Sequence, residues 1–393
     1  MLLLDNPVQH YAWGLRDGLS RLLGTPPSGE PEAELWVGTH PRATSVVAAG
    51  PLAGRSLAEV VSLDPMRWLG TDRAEPGAAL PFLLKVLAIG EPLSLQAHPS
   101  AQQASVGFAR EETRGVAPDA PDRTYRDRSA KPEVLVALAE TFALCGFREP
   151  GEVADLLQPL GDPVAPMLAL LRVSDDPLRD AMSWLLQAPP PVRDGVAKAA
   201  AAASAGRAPD PTDPWAWVAD LAARYPGDPT AVAPLLLELV HLVPGQAVHL
   251  PAGNLHAYLL GAGIEVMAAS DNVLRGGLTP KHVDVDELLH VLRFEPGTPP
   301  PPRQRVVGAV RCYDAGEEAF GLAAIVPEVG GAWIRTAAPS ILLPIGDTAT
   351  IAAGGEHFEV GGGRAVLVEP GVDVLVRGRR PVWWATTGAG LPS

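Results

Sequence analysis

Cysteine is nearly absent from this chain. Only Cys145 and Cys312 occur in 393 residues, and no CxxC pair is present. One possible pairing cannot staple a fold of this size, so reduced thiols in a cytoplasmic protein are the expectation. Long apolar runs are also missing. No stretch of about 18 residues is free of charges and turn residues, which argues against a membrane span. The opening MLLLDNPVQHYAWG lacks a basic segment and has only three leading apolar residues, unlike a secretory signal. Runs of like charge are missing too, while the formal net charge is -14. Such a field repels nucleic acid and anionic lipid, so an anionic ligand needs a local cluster of Arg and Lys. No segment points to an obligatory protein partner.

Glycine and proline, by contrast, are plentiful, at 40 and 42 residues. Their share stays below the roughly 25–30% typical of disordered low-complexity chains, and it favours turns and short strands. With 47% hydrophobic residues the chain can bury a sizeable core. At about 150 residues per domain the length suggests two or three domains.

Residues 1–150 mix strand-like runs, TSVVAAG (44–50) and PFLLKVLAIG (81–90), with helical pieces over 57–69 and 100–112. Ser56 and Ser100 serve as N-caps, and Pro65 breaks the first piece. From 151 to 243 apolar positions recur at helical spacing, which predicts five or six short helices. This block includes TAVAPLLLELVHLV at its end. At Pro244-Gly245 the pattern returns to alternation, and from about 305 onward short β-like runs recur roughly every ten residues. The expected architecture is mainly β with a helical insertion: 1–150 and 244–304 form one β unit, 151–243 a helical block, and 305–393 a second, jelly-roll-like unit.

Four distant segments carry candidate chemistry. LSLQAHPS sets Gln96 and His98 two apart, on one face of a strand. Glu133 follows Lys131-Pro132 where a strand begins, and His256 follows the turn PAGN. Each has an ordinary reading: a half-polar strand, an ion pair with Lys131 or a solvated carboxylate, and a hydrogen-bonded core histidine. Taken together, Gln, two His and Glu make a nitrogen and oxygen ligand set. That set suits Zn²⁺, or Mn²⁺ or Co²⁺, with room for water or substrate. The stretch 263–284 gathers Glu265, Ser270, Asp271, Asn272, Arg275, Lys281 and His282. It reads either as a solvated loop or as a binding loop in which Arg275 and Lys281 handle an anion.

Seven stretches, NPVQHYAWG, ELWVGTHP, LPFLLKVL, LSLQAHP, YRDRSAKPE, LPAGNLHAYL and SDNVLRGGLTPKHVD, resemble successive signatures of class I mannose-6-phosphate isomerases, in that family's order over 1–290. The resemblance implies a cupin-type catalytic domain and one Zn²⁺ per chain on Gln96, His98, Glu133 and His256. It implies interconversion of mannose 6-phosphate and fructose 6-phosphate through a cis-enediol. It also implies site roles for Lys85, Ser94, Lys131, Glu265, Asp271, Arg275 and Lys281. Arg275 is assigned to charge stabilisation, and Lys131 or Glu265 to the C2 proton. Asp271 or His98 is assigned to ring opening, and Lys85, Ser94 and Lys281 to the substrate and its phosphate. One departure is Ala101, where many members carry a Lys; another is Ala130, before the KPE motif. Two His and a carboxylate also form the non-haem iron triad. The alternatives are therefore another cupin metalloenzyme, such as an iron dioxygenase, or a non-catalytic sugar-phosphate binder.

Overall fold

The computed structural model describes residues 1–393 other than 74, 76 and 393. It holds two large sheets, a four-stranded sheet and a helical block. The ten-stranded sheet is organised by one 13-residue strand, His256–Ala268. Its first half pairs with Thr141–Phe147 and touches Leu95–Ala97 through the pair His256–Gln96. Its second half pairs with Phe82–Ile89 on one side and Glu133–Ala137 on the other.

Met267 is paired with Glu133. Fully straight, the eleven residue steps from His256 to Met267 would span about 36 Å. Yet the Glu133 carboxylate lies 3.7 Å from the His256 ring. The strand must therefore curl, bringing its two ends around one hollow. Gly261 stands at the bend with φ 127°, and a Cβ there would meet the Glu140 carbonyl oxygen at 2.5 Å. Only glycine fits that position.

Strict alternation sorts the side chains of the curled sheet. Phe82, Leu84, Val86, Val134, Val136, Ile264 and Val266 point outward and pack on Leu322, Ile341, Leu367 and Trp383 of the eight-stranded sheet. The alternate positions, including Lys85, Glu133 and Glu265, point into the hollow and are buried. The eight-stranded sheet packs its other face on the four-stranded sheet, forming a sandwich around Ile325, Ile351, Val366, Val374 and Trp384. Helices from Pro150 to Leu236 cover another part of the curled sheet, with Leu157, Met167, Leu185 and Leu221 against Leu95, Leu144 and Leu259.

The expected helix over 101–112 is present as Ala101–Thr113, closed by a Ser100/Gln103 capping box. The piece over 57–69 divides at Asp64, with Pro65 opening the second helix. Three features depart from expectation. The helical block ends at Leu236; Leu237–Leu242 is a strand paired with Thr141–Phe147. Its apolar run suits either period, and an open sheet edge decided for strand. Second, Leu2–Asp5 lies in the eight-stranded sheet, between Ala365–Val368 and Val46–Val47, so the N-terminal segment belongs to the sheet of the C-terminal unit. Third, Val285–Val291 is a helix capped by Asp284, inside a stretch read as β. No helix among the described residues is long and apolar enough to cross a membrane.

Candidate metal centre and substrate cavity

The hollow brings three of the four expected ligands into one buried group. Ligand atoms of His98, Glu133 and His256 all lie within 4.8 Å of one another. His98 Nδ1 sits 2.8 Å from the Asn272 carbonyl, and His256 Nδ1 sits 3.2 Å from the Asn254 carbonyl. A carbonyl only accepts, so each Nδ1 carries the hydrogen and each Nε2 presents a lone pair. These Nε2 atoms stand 3.5 and 3.7 Å from the Glu133 carboxylate. His98 is fully buried, and its Nε2 has no hydrogen-bond partner. Two lone pairs converging beside a buried carboxylate, one of them without any partner, form a set of acceptors that a cation would satisfy. That donor chemistry fits Zn²⁺.

Gln96, the fourth expected ligand, lies beside this group in the strand register. It is paired in register with His256 on one side and Arg275 on the other. Its amide nitrogen donates to Ser94 Oγ at 3.4 Å, which leaves the amide oxygen able to face a cation.

The charges agree with this reading. Burial pushes the His256 imidazole down to about 4, aided by His98, and burial with Lys131 lowers His98. Burial alone would raise Glu133, but Lys131, whose ammonium donates to it at 2.5 Å, and the two His hold its carboxyl well below the usual range. All three ligands are therefore in metal-binding form at neutral pH. Beside them, burial and the Glu133 charge push Glu265 up to about 7, against the pull of Lys85. Tyr258 donates to Glu265 at 2.9 Å.

A small recess lined by Ser94, Gln96, Lys131, Glu133, His256 and Glu265 adjoins a cavity of about 740 Å³. Gln96, Lys85 and Lys131 border both. Arg42, Arg126, Arg275 and Lys281 line the outer cavity. Burial and Arg126 lower Arg275, while burial with Arg275, Arg42 and Arg126 lowers Lys281; each is a cation among cations. Neither Arg275 nor Lys281 has an ion pair among the described residues. In a chain of net charge -14, this concentration of unpaired positive charge suits an anionic ligand.

Two expected substrate contacts stand differently. Lys85 has its ammonium 3.6 Å from Glu34 and 3.5 Å from Glu265, so its charge is committed within the wall. Ser94 lines the recess beside Gln96, whereas Lys281 lines the outer cavity. Asp271 does reach the cavity, where its carboxylate meets His40 and Arg42. Arg42, Arg126, His40 and Glu34 were not singled out from sequence. Glu34 and His40 fall within ELWVGTHP and Arg126 within YRDRSAKPE, while Arg42 lies just beyond the first stretch, and nothing in either marks which residues face inward. The helical block lines neither the recess nor the outer cavity.

Three kinds of similarity accompany this geometry. Residues 1–150 match the family model for the type I phosphomannose isomerase catalytic domain. The chain is 41% identical over 298 residues to mannose-6-phosphate isomerase of Escherichia coli (strain K12), covering 74% of each chain. It is 32% identical over 330 residues to the Homo sapiens mannose-6-phosphate isomerase, covering 75% of this chain and 73% of that one. It superimposes with a TM-score of 0.90, at 31% identity, on a crystal structure of mannose 6-phosphate isomerase from Salmonella typhimurium bound to its substrate fructose 6-phosphate and zinc, covering 98% and 99% of the two chains.

Proposed function

The chain belongs to the type I phosphomannose isomerase family, and we propose that this site performs that family's reaction, the metal-dependent interconversion of mannose 6-phosphate and fructose 6-phosphate. The observation that carries the reading is the unpartnered, buried Nε2 of His98, converging with Glu133 and His256 beside a recess that adjoins a cation-lined cavity. We assign the zinc to Gln96, His98, Glu133 and His256. When bound, the ion supplies Lewis-acid stabilisation of negative charge on the sugar's C1 and C2 oxygens.

The remaining work falls to this chain's own side chains. Asp271 serves ring opening. Lys131 is a donor toward Glu133, so Glu265 is the group that takes the C2 proton and returns it to C1. A carboxyl near pH 7 is well matched to that exchange. Arg275, fixed next to Gln96 in register, places its guanidinium against the enediol's charge. Arg42, Arg126 and Lys281 hold the phosphate, and Lys281 and the arginines stand in for the Lys missing at Ala101. Lys85 and Ser94 act from the wall, on Glu265 and Gln96. The catalytic unit is of cupin type, with the helical block covering one side and the C-terminal β unit packed behind it. Cys145 and Cys312 are buried and unpaired, which supports a reducing, cytoplasmic setting.

The direct test is a steady-state assay of zinc-loaded protein with mannose 6-phosphate, following fructose 6-phosphate. Absence of turnover in a preparation with stoichiometric zinc would overturn the proposal.

A further inference from the structure

His40 occupies the cavity wall without having been given a role. It follows strand Glu34–Val37, is 7% exposed, and lines the outer cavity. Its ring sits edge-on to Trp36, with centroids 4.8 Å apart. Trp36 is itself pinned by a 2.6 Å hydrogen bond from its indole to Glu34. The backbone N–H of Arg42 donates to His40 Nδ1 at 3.3 Å. Nδ1 is therefore the acceptor, and the ring hydrogen is on Nε2. That Nε2 lies 3.3 Å from Asp271 Oδ1, and Arg42 reaches the same oxygen at 3.4 Å. Asp271 is held from behind as well, its backbone N–H donating to Asp127 at 2.8 Å. Both side-chain contacts fall on Oδ1, and Oδ2 has no partner among the described residues.

We infer that His40 is a positioning residue: it holds Asp271 by Oδ1 so that Oδ2 faces the closed sugar as the ring-opening group. The inference rests on the isomerase reading above. In the step, Asp271 takes the proton of the C1 hydroxyl. The O1 lone pair forms the C1 carbonyl as the C1–O5 bond breaks, and O5 takes the proton back from Asp271. Nothing is gained or lost overall, so one carboxylate suffices if it is correctly aimed. Without the His40 donor it is free to swing toward Arg42.

His40→Phe keeps the ring against Trp36 but removes the donor; His40→Gln restores an N–H near the position of Nε2. The experiment compares wild type and both variants on mannose 6-phosphate and its C2-deuterated form, with zinc content measured alongside. For His40→Phe, kcat/KM falls about 10- to 100-fold at unchanged zinc. The deuterium effect on kcat/KM falls toward 1, because ring opening rather than C2–H cleavage becomes limiting. His40→Gln recovers to within about fivefold. A mere loss of folded enzyme would leave the isotope effect where it was. An undiminished isotope effect in His40→Phe, or kcat/KM equal to wild type, overturns the inference. An inactive wild type overturns the isomerase reading instead.

Discussion

The C-terminal sandwich and the curled sheet are built by the same rule and hold opposite contents. In the sandwich, inward positions read Ile325, Ile334, Ile351, Val366, Val374 and Trp384, all apolar and buried. In the curled sheet, the inward positions of three neighbouring strands include Lys85, Glu133 and Glu265, buried to a similar degree. Alternation decides which face a residue takes, but not whether that face is oily or charged. Buried charges are tolerated when paired and hydrogen-bonded, and they seldom add stability over apolar residues of the same volume. The sandwich thus has the composition of a stabilising element, whereas the hollow carries buried charges that stability alone does not account for.

This contrast can be broken at graded strength. The largest effect is expected from His256→Ala, which should remove zinc and reduce kcat by on the order of 10³-fold or more, beyond the loss of one preorganised donor. Circular dichroism should show the sheets intact, because the apolar face and the sandwich are untouched. Full activity in metal-free protein would refute the ligand assignment.

Next comes the outer cavity. Mannose 6-phosphate should be preferred over free mannose by on the order of 10²–10⁴-fold in kcat/KM, or roughly 3–5 kcal/mol of transition-state binding from a remote group. Paired assays on one zinc-loaded preparation measure it, and equal values would mean that the arginine cluster does not read phosphate. Arg275→Lys should lower kcat by roughly 10²-fold at constant zinc, since charge is kept but the planar fork is lost. A change confined to KM would move Arg275 to ground-state binding.

Glu265 sharpens the comparison from both sides. Its folded carboxyl titrates at about 7, above the ordinary value of 4.5. Its contribution to stability is therefore fully present below about pH 4.5 and lost as pH rises through about 7. Activity should run the other way, with kcat/KM of the zinc-loaded enzyme rising with pH as the carboxylate forms. Glu265→Gln should flatten that rise and lose most activity. At pH 8, however, zinc-free Glu265→Gln should resist urea at least as well as wild type. Lower resistance would show that the charge is structural.

The smallest effect belongs to the sandwich. Ile351→Val should cost about 0.5–1.5 kcal/mol in urea unfolding and leave kcat, KM and zinc content unchanged.

The sequence disclosed this site unevenly. Gln96, His98, Glu133 and His256 each had an ordinary reading alone; they were legible together, as a nitrogen and oxygen set carried by motifs that resemble class I mannose-6-phosphate isomerase signatures in order. Their convergence depends on the curl of His256–Ala268, and no local pattern encodes how far a strand bends. Arg42 and Arg126 look like ordinary loop cations in sequence, and only the loop path turns them into the cavity. Lys85 was legible as a site residue, but its pairing with Glu34 and Glu265 depends on register between three strands. The strand Leu237–Leu242 was hidden because its apolar run satisfies either period, and its partner lies some hundred residues earlier.

The placement of Leu2–Asp5 has a consequence for biosynthesis. Leu2, Leu3 and Leu4 pair with Leu367, Val366 and Ala365, and the three leucines are buried against both cores. At about 5–20 residues per second, the ribosome needs roughly 20–70 s to make the partner strand after the first has emerged. For that interval an apolar segment with unsatisfied backbone groups waits in solution, the condition under which nascent chains aggregate or recruit chaperones. The pairing of Leu2–Asp5 with Ala365–Val368 thus waits until most of the sequence between them has been made.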